Sequence, residues 1–202
     1  EDLVSELSKE KYLTGVHIVH VKTEKGYGFE AAEKGNSTTW HAPGNFDPET
    51  GNRYSSDVLL PSKYQDVFGG TLCELADSDK RIVAVTPAMS TGSGLKEFES
   101  QFPNRFFDVG IAEQHAVTFS AGLARNGMVP FCSIYSSFLQ RGYDQLIHDV
   151  ALQNLHVVFC IDRAGLAGND GATHQGAFDL AFLRAIPNLT IMAPMNELQL
   201  RD

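Results

Sequence analysis

Residues 129–162 read V-P-F-C-S-I-Y-S-S-F-L-Q-R-G-Y-D-Q-L-I-H-D-V-A-L-Q-N-L-H-V-V-F-C-I-D, and this stretch decides the fold class. Val129–Ile134 is short, β-branched and aromatic, as a strand should be. Ser136–Gln153 is long enough for a helix, and His156–Asp162 returns to an apolar strand pattern. Two strands joined by a helix of this length form a βαβ crossover, which makes them parallel. The run V-V-F-C-I is apolar throughout, the mark of a strand covered on both faces.

Working outward, the same alternation continues. Upstream, Phe106–Val109 predicts a strand, and Ala112–Arg125 predicts a helix stopped by Asn126-Gly127. Arg81–Thr86 is a further strand, followed by a Gly/Ser loop through Gly94. Ser62-x-x-Gln65 has the form of a capping box opening a helix to about Ala76. Downstream, a glycine-rich loop spans Ala164–Gln175, Ala177–Ala185 is helical, and Thr190–Ala193 is a strand. The class is therefore α/β, a mostly parallel sheet sandwiched by helices.

The first quarter of the chain has another character. Val16–Lys22 alternates β-branched and polar residues with period two, predicting a strand. Glu30–Pro61 is then a polar stretch rich in Gly, Asn, Ser and Pro, too long for a routine connection. A domain boundary is placed near residue 55, so that 1–55 is the tail of a preceding α/β domain with a linker, and 56–202 is the main domain. Glu1–Lys11 and Asn196–Leu200 read as helices cut at each end.

Composition bounds the function. The chain has 202 residues, 43% of them hydrophobic and 20% charged, ordinary for a globular protein. A formal charge of −9 argues against nucleic acid or an anionic membrane as the main partner. No apolar run approaches the ~20 residues of a membrane span. Cys73, Cys132 and Cys160 lie in apolar runs without C-x-x-C spacing and read as buried free thiols. No three histidines have metal-ligand spacing.

In parallel sheets ligands gather at the carboxyl ends of the strands. The loops to inspect are then Thr86–Gly94, Gly110–His115, Tyr135–Arg141 and Arg163–His174, and the last three are dense in ionisable and aromatic groups. Glu113 reads two ways: a first-turn acid complementing the helix dipole, or a partly desolvated carboxyl that bonds a ligand nitrogen. Phe138, three residues from both Tyr135 and Arg141, shares a helix face with them. It is either plain core or part of a ligand wall. Arg163, Asp170 and His174 share one glycine-rich loop, either a surface loop or a ligand-facing one. His41, in Thr39-Trp40-His41-Ala42-Pro43, is by itself an ordinary surface histidine.

Four segments carry a resemblance: D-V-G-I-A-E-Q-H-A-V-T-F-S-A-G-L-A from Asp108, I-Y-S-S-F-L-Q-R-G-Y-D-Q from Ile134, I-D-R-A-G-L-A-G-N-D-G-A-T-H-Q-G-A-F-D from Ile161, and I-M-A-P from Ile191. From about Gly15 to the end, the chain resembles the deoxyxylulose-phosphate synthases, thiamine-diphosphate enzymes of the transketolase type. The resemblance implies a thiamin diphosphate-binding fold of the pyrimidine type. It implies decarboxylative condensation of pyruvate with D-glyceraldehyde 3-phosphate, giving 1-deoxy-D-xylulose 5-phosphate. That is the first step of non-mevalonate isoprenoid synthesis and a source of thiamine and pyridoxal precursors.

Residue by residue, the resemblance implies that Glu113 faces N1′ of the cofactor's aminopyrimidine. Phe138 stacks on that ring, while Tyr135 and Arg141 face substrate. Arg163 and Arg141 are candidates for the acceptor phosphate, which a guanidinium fork suits. Asp170 and His174 orient hydroxyls or pass protons, His41 reaches the site for proton transfer, and Lys25 approaches the diphosphate. Phe29 stands where the family usually has a tyrosine touching the cofactor. The G-D-G…N motif that holds Mg²⁺ does not occur here, so the metal ligands are expected in a preceding domain, and this piece is expected to be inactive alone. A homodimer in the bacterial cytoplasm or plastid stroma is the implied setting. Two rivals are another two-carbon transferase with ketose donors, and a non-catalytic module docking on a full-length partner.

Overall fold

The computed structural model describes residues 2–35, 38–54 and 61–202. Contacts divide the chain into two units, Glu1–Leu59 and Leu60–Asp202, each taken by itself below. The expected boundary near residue 55 falls in 55–60, outside the described residues.

In the first unit, helix α1 covers Asp2–Glu10 and a single turn, α2, covers Glu30–Glu33. The expected strand at 16–22 does not form, and Val16 and Ile18 are more than nine-tenths exposed. Period-two alternation states which face would be buried, but a strand also needs a neighbour for its N–H and C=O groups, and no described residue of the unit supplies one. The polar stretch beyond it is organised by aromatics. Phe29, Trp40 and Phe46 form a three-ring cluster with centroids 5.2–5.7 Å apart.

In the second unit, α3 (Tyr64–Ser78) leads into β1 (Ile82–Thr86), α4 (Lys96–Gln101), β2 (Phe106–Asp108), α5 (Glu113–Arg125) and β3 (Val129–Tyr135). After these come short turns α6 (Ser136–Leu139) and α7 (Tyr143–Gln145), then β4 (Val158–Asp162), α8 (Asp179–Leu183) and α9 (Glu197–Arg201). The strands form one parallel sheet of order β2-β1-β3-β4. Every residue of β1 is buried. Leu72, Ala76, Leu95 and Phe98 pack with Ile82 and Ala84, while Val117, Ala121, Leu139, Leu146 and Val150 pack with Val85, Cys132 and Ile134. Helices thus cover both faces, as doubly wound sheets require.

Four local expectations are corrected. The capping box does not form: Lys63 is the N-cap of α3 and no side chain caps it. Gln65 instead donates to the Thr91 carbonyl at 3.3 Å, a tertiary partner competing with the local one. Thr190–Ala193 runs without strand structure, with Met192 exposed. Pro187 and Pro194 bracket it, and proline removes ladder donors and restricts the residue before it. As a result β4 is an edge strand among the described residues, half-buried along its length and not covered on both faces.

Finally, Ser136–Gln153 is not one helix. It runs as α6, a 3-10 turn at Gln140–Gly142, α7, and a π-helical segment Leu146–Ala151. A Cβ on Gly142 would lie 3.0 Å from Val117 Cγ2 and 3.6 Å from the Glu113 carbonyl oxygen. The tight turn and its glycine let this segment press directly on the start of α5. α4, short and uncapped by any side chain, was not expected from the sequence at all.

Candidate active site

Three loops at the carboxyl ends of β2, β3 and β4 build the site. Asp108, the last residue of β2, accepts from Ala88 N and Gly110 N, both at 2.9 Å. One carboxylate therefore ties the loop after β1 to the loop that opens α5. Glu113 follows in the first turn of α5, next to an N-cap, Ala112, that provides no side-chain bond. The free helix N–H groups there favour an anionic neighbour. Glu113 is 6% exposed. Its carboxylate has one ion partner among the described residues, Arg141 Nη1 at 3.8 Å, a contact made possible by the turn at Gly142. A buried acid so lightly engaged by protein retains hydrogen-bonding capacity for a ligand.

From β3, Tyr135 starts a chain of rings. It stacks on Phe138 at 5.4 Å with a 16° interplanar angle, and Phe138 meets the His174 imidazole edge-on at 5.4 Å. Phe138, Arg141 and His174, with Ser137, Gln140 and Thr173, line an open cleft of about 540 Å³. The hydroxyls of Ser136 and Ser137 are buried without a hydrogen-bond partner. The cleft is mostly polar, with the Phe138 ring its one apolar side chain and Arg141 and His174 its ionisable ones, so it can offer a ligand a ring face beside charged and hydrogen-bonding groups.

At the end of β4, Arg163 has a left-handed backbone, φ +58°, a conformation uncommon outside glycine. Its guanidinium lies 4.8 Å from the centroid of the Tyr135 ring, within cation–π range. Asp162 Oδ1 is 3.8 Å from Arg163 Nη1. Burial pushes the Asp162 carboxyl up to about 6, against a smaller downward pull from Arg163. Burial likewise raises the Tyr135 phenol, with Arg163 opposing and the charges of Asp162 and Asp170 adding. Gly165 and Gly176 exchange backbone hydrogen bonds of 2.9 and 2.7 Å, closing the base of the loop.

Glu113, Arg141, Tyr135, Phe138, His174 and Arg163 are therefore brought together. Asp170 sits exposed in a 3-10 turn, near enough for its charge to act on Tyr135. Lys25, Phe29 and His41 lie in the first unit. There Lys25 Nζ is 2.8 Å from His41 Nδ1, so the ammonium donates and the imidazole accepts, while Phe29 packs on Trp40 and Phe46. Ser137, Gln140, Thr173 and Asp162 were not singled out from the sequence. The signal for Asp162 was its place as the last residue of a strand in the ligand-bearing end of the sheet.

Other features agree with the reading of the thiols. Cys73 and Cys132 are buried and free, and Cys160 is half-buried and free. Burial raises all three thiols, Cys132 to about 12, so none is a ready nucleophile. Among the described residues no group of three His, Cys, Asp or Glu could hold a metal ion, and no helix is long and apolar enough to cross a membrane.

Comparison with known proteins places this geometry in a family. Residues 61–202 match the model of the transketolase pyrimidine-binding domain. The chain is 60% identical over 201 residues to a 1-deoxy-D-xylulose-5-phosphate synthase of Parabacteroides distasonis, covering 99% of this chain and 32% of the relative. It is 57% identical over 204 residues to that of Paraburkholderia phymatum, covering 100% of this chain and 32% of the relative. The chain thus spans about a third of the length of the curated relatives it matches. Among solved structures, a split-gene transketolase described as an inactive beta4 tetramer aligns with a TM-score of 0.61 and 32% identity, over 68% of this chain and 44% of that one. A transketolase from Leishmania mexicana aligns with a TM-score of 0.64 at 18% identity, over 72% of this chain and 23% of that one, a likeness of fold. The resemblance carried by the four motifs is upheld, and with the acid of α5, the ring wall and the parallel sheet in place, the chain belongs to the transketolase pyrimidine-binding domain family.

Proposed function

We propose that this chain is the pyrimidine half-site of a 1-deoxy-D-xylulose-5-phosphate synthase. The whole protein joins pyruvate to D-glyceraldehyde 3-phosphate, releases CO₂ and forms 1-deoxy-D-xylulose 5-phosphate. The observation that carries the reading is Glu113: a buried carboxyl, without a hydrogen bond from the described residues, beside the cleft walled by Phe138 and Arg141. Thiamine diphosphate, when bound, supplies the carbon nucleophile and the electron sink that decarboxylation of an α-keto acid needs.

The residues present fit that group. Glu113 would hold a hydrogen bond at the pyrimidine nitrogen, and Phe138 would offer the ring platform. Arg163, and Arg141 at the cleft mouth, would take the acceptor phosphate. Tyr135, His174 and Asp170 would orient substrate or pass a proton. His41, whose Nδ1 accepts from Lys25, keeps its other nitrogen for a proton. Lys25 and Phe29 would approach the cofactor in the assembled enzyme. Mg²⁺ would be held by residues of the whole protein beyond this third. The boundary near residue 55, a homodimeric assembly, a bacterial cytoplasmic or plastid stromal setting, and inactivity of the isolated piece belong to the same proposal.

Glu113→Ala in the full-length enzyme tests it. Turnover should fall by at least ~10²–10⁴-fold, the usual worth of a positioned acid, with circular dichroism unchanged. Turnover retained at the parent level refutes the assignment.

A further inference from the structure

The carboxylate of Asp162 has no role in the reading above, yet it is placed where one is needed. Its side chain is 17% exposed. Asp162 pairs in register with Tyr135 across the β3–β4 ladder, so the two lie side by side at the ligand-bearing end of the sheet. The next residue, Arg163, turns through φ +58° and brings its guanidinium over the Tyr135 ring. We propose that Asp162 is a positioning residue that holds the Arg163 guanidinium over Tyr135, so that the arginine meets the phosphate of the acceptor aldehyde already oriented.

The inference rests on Arg163 being the phosphate ligand. A free arginine side chain has many rotamers, and a ligand that must order one binds more weakly than a ligand that finds it ordered. Two contacts restrict it: the ring and the carboxylate at 3.8 Å. The loop base closed by Gly165 and Gly176 restricts the backbone as well. Burial works against the Asp162 charge and Arg163 is the cation that favours it, while the phenol of Tyr135 and the thiol of Cys160 both respond to that charge. A carboxylate kept in a place that penalises it contributes little to folding, which fits a group that orients its neighbour.

The test uses the full-length enzyme with Asp162→Asn, Asp162→Glu and Arg163→Ala. Acceptors are D-glyceraldehyde 3-phosphate and unphosphorylated D-glyceraldehyde. Asp162→Asn should raise KM for the phosphorylated acceptor about tenfold, leave kcat, pyruvate KM and the unphosphorylated acceptor within about twofold, and be partly rescued in Asp162→Glu. The parent's KM for the phosphorylated acceptor should also rise more steeply than the Asn variant's as pH falls through about 6. The acceptor's own phosphate ionisation, near the same pH, affects both proteins equally. If Arg163→Ala raises that KM and Asp162→Asn does not, the positioning role is overturned alone. If neither does, the phosphate reading falls too. A uniform loss across both acceptors and kcat assigns Asp162 to structure and overturns the proposal.

Discussion

Asp162→Asn should make the 202-residue chain more stable at neutral pH. Burial moves the carboxyl from its ordinary 3.8 to about 6 even with Arg163 beside it. The rise from 3.8 to about 6, at about 1.36 kcal/mol for each tenfold change in proton affinity, sets an upper bound of about 3 kcal/mol on the penalty of the ionised form. The side chain keeps some solvent contact, 17%, so an effect of about 1–2 kcal/mol is expected. The direction follows from proton binding. Between pH 3.8 and about 6 the native state holds the proton and the unfolded state does not, so stability falls as pH rises through that window. Below 3.8 both states are protonated and the penalty vanishes; above about 6 it is complete. Urea unfolding of parent and variant at pH 4, 5, 6 and 7.5 should give midpoints that nearly coincide at about pH 4 and separate at 7.5, with the variant higher and the slope unchanged. A gap independent of pH, or a parent more stable at pH 7.5, would refute the reasoning.

Two further outcomes follow from packing. A Cβ at Gly92 would sit 2.2 Å from the Tyr135 hydroxyl and 3.0 Å from Met89 Cε, and Tyr135 is 6% exposed. Gly92→Ala should therefore destabilise by about 1–3 kcal/mol; combining it with Tyr135→Phe, which removes the clashing oxygen, should recover most of that loss in a double-mutant cycle. Additive losses would place the strain elsewhere. Phe98 is fully buried and packs on Phe102 at 5.1 Å, so Phe98→Ala should cost about 3–5 kcal/mol, read as a drop in urea midpoint. A loss under about 1 kcal/mol would mean that the site collapses freely.

The α/β class and most of the second unit were legible because their signals are local and strong. The apolar runs of β1 and β3 predict buried strands, and the Asn126-Gly127 stop ends α5 at Arg125, with Gly127 at φ +84°. The loops to look in followed from parallel topology alone, and within them the roles of Glu113, Tyr135, Phe138, Arg163 and His174 came from the resemblance. The role of Glu113 was not readable from spacing, since a first-turn acid and a ligand-binding acid look alike in a sequence. Its burial to 6% became visible only in the fold, and it is the proposed function that takes the second reading.

What the sequence determined, then, was what neighbouring residues decide among themselves: where the backbone runs extended, where it coils, and which loops close the sheet's reactive end. What it left open depended on partners distant in the chain. Residues 16–22 and 190–193 alternate or run apolar as strands do, but a ladder needs a second strand, and none of the described residues pairs with them. Gln65 bonds a carbonyl 26 residues away in place of its cap. The expected long helix breaks into a 3-10 turn at Gln140–Gly142, where Val117 and Glu113 lie too close to leave room for a side chain. Asp162 reads as any strand-ending aspartate until packing sets it beside Tyr135 and Arg163 and buries its carboxyl. Side-chain periodicity is a property of a segment. Pairing, close approach and desolvation are properties of the packed chain, and only the tertiary structure decides them.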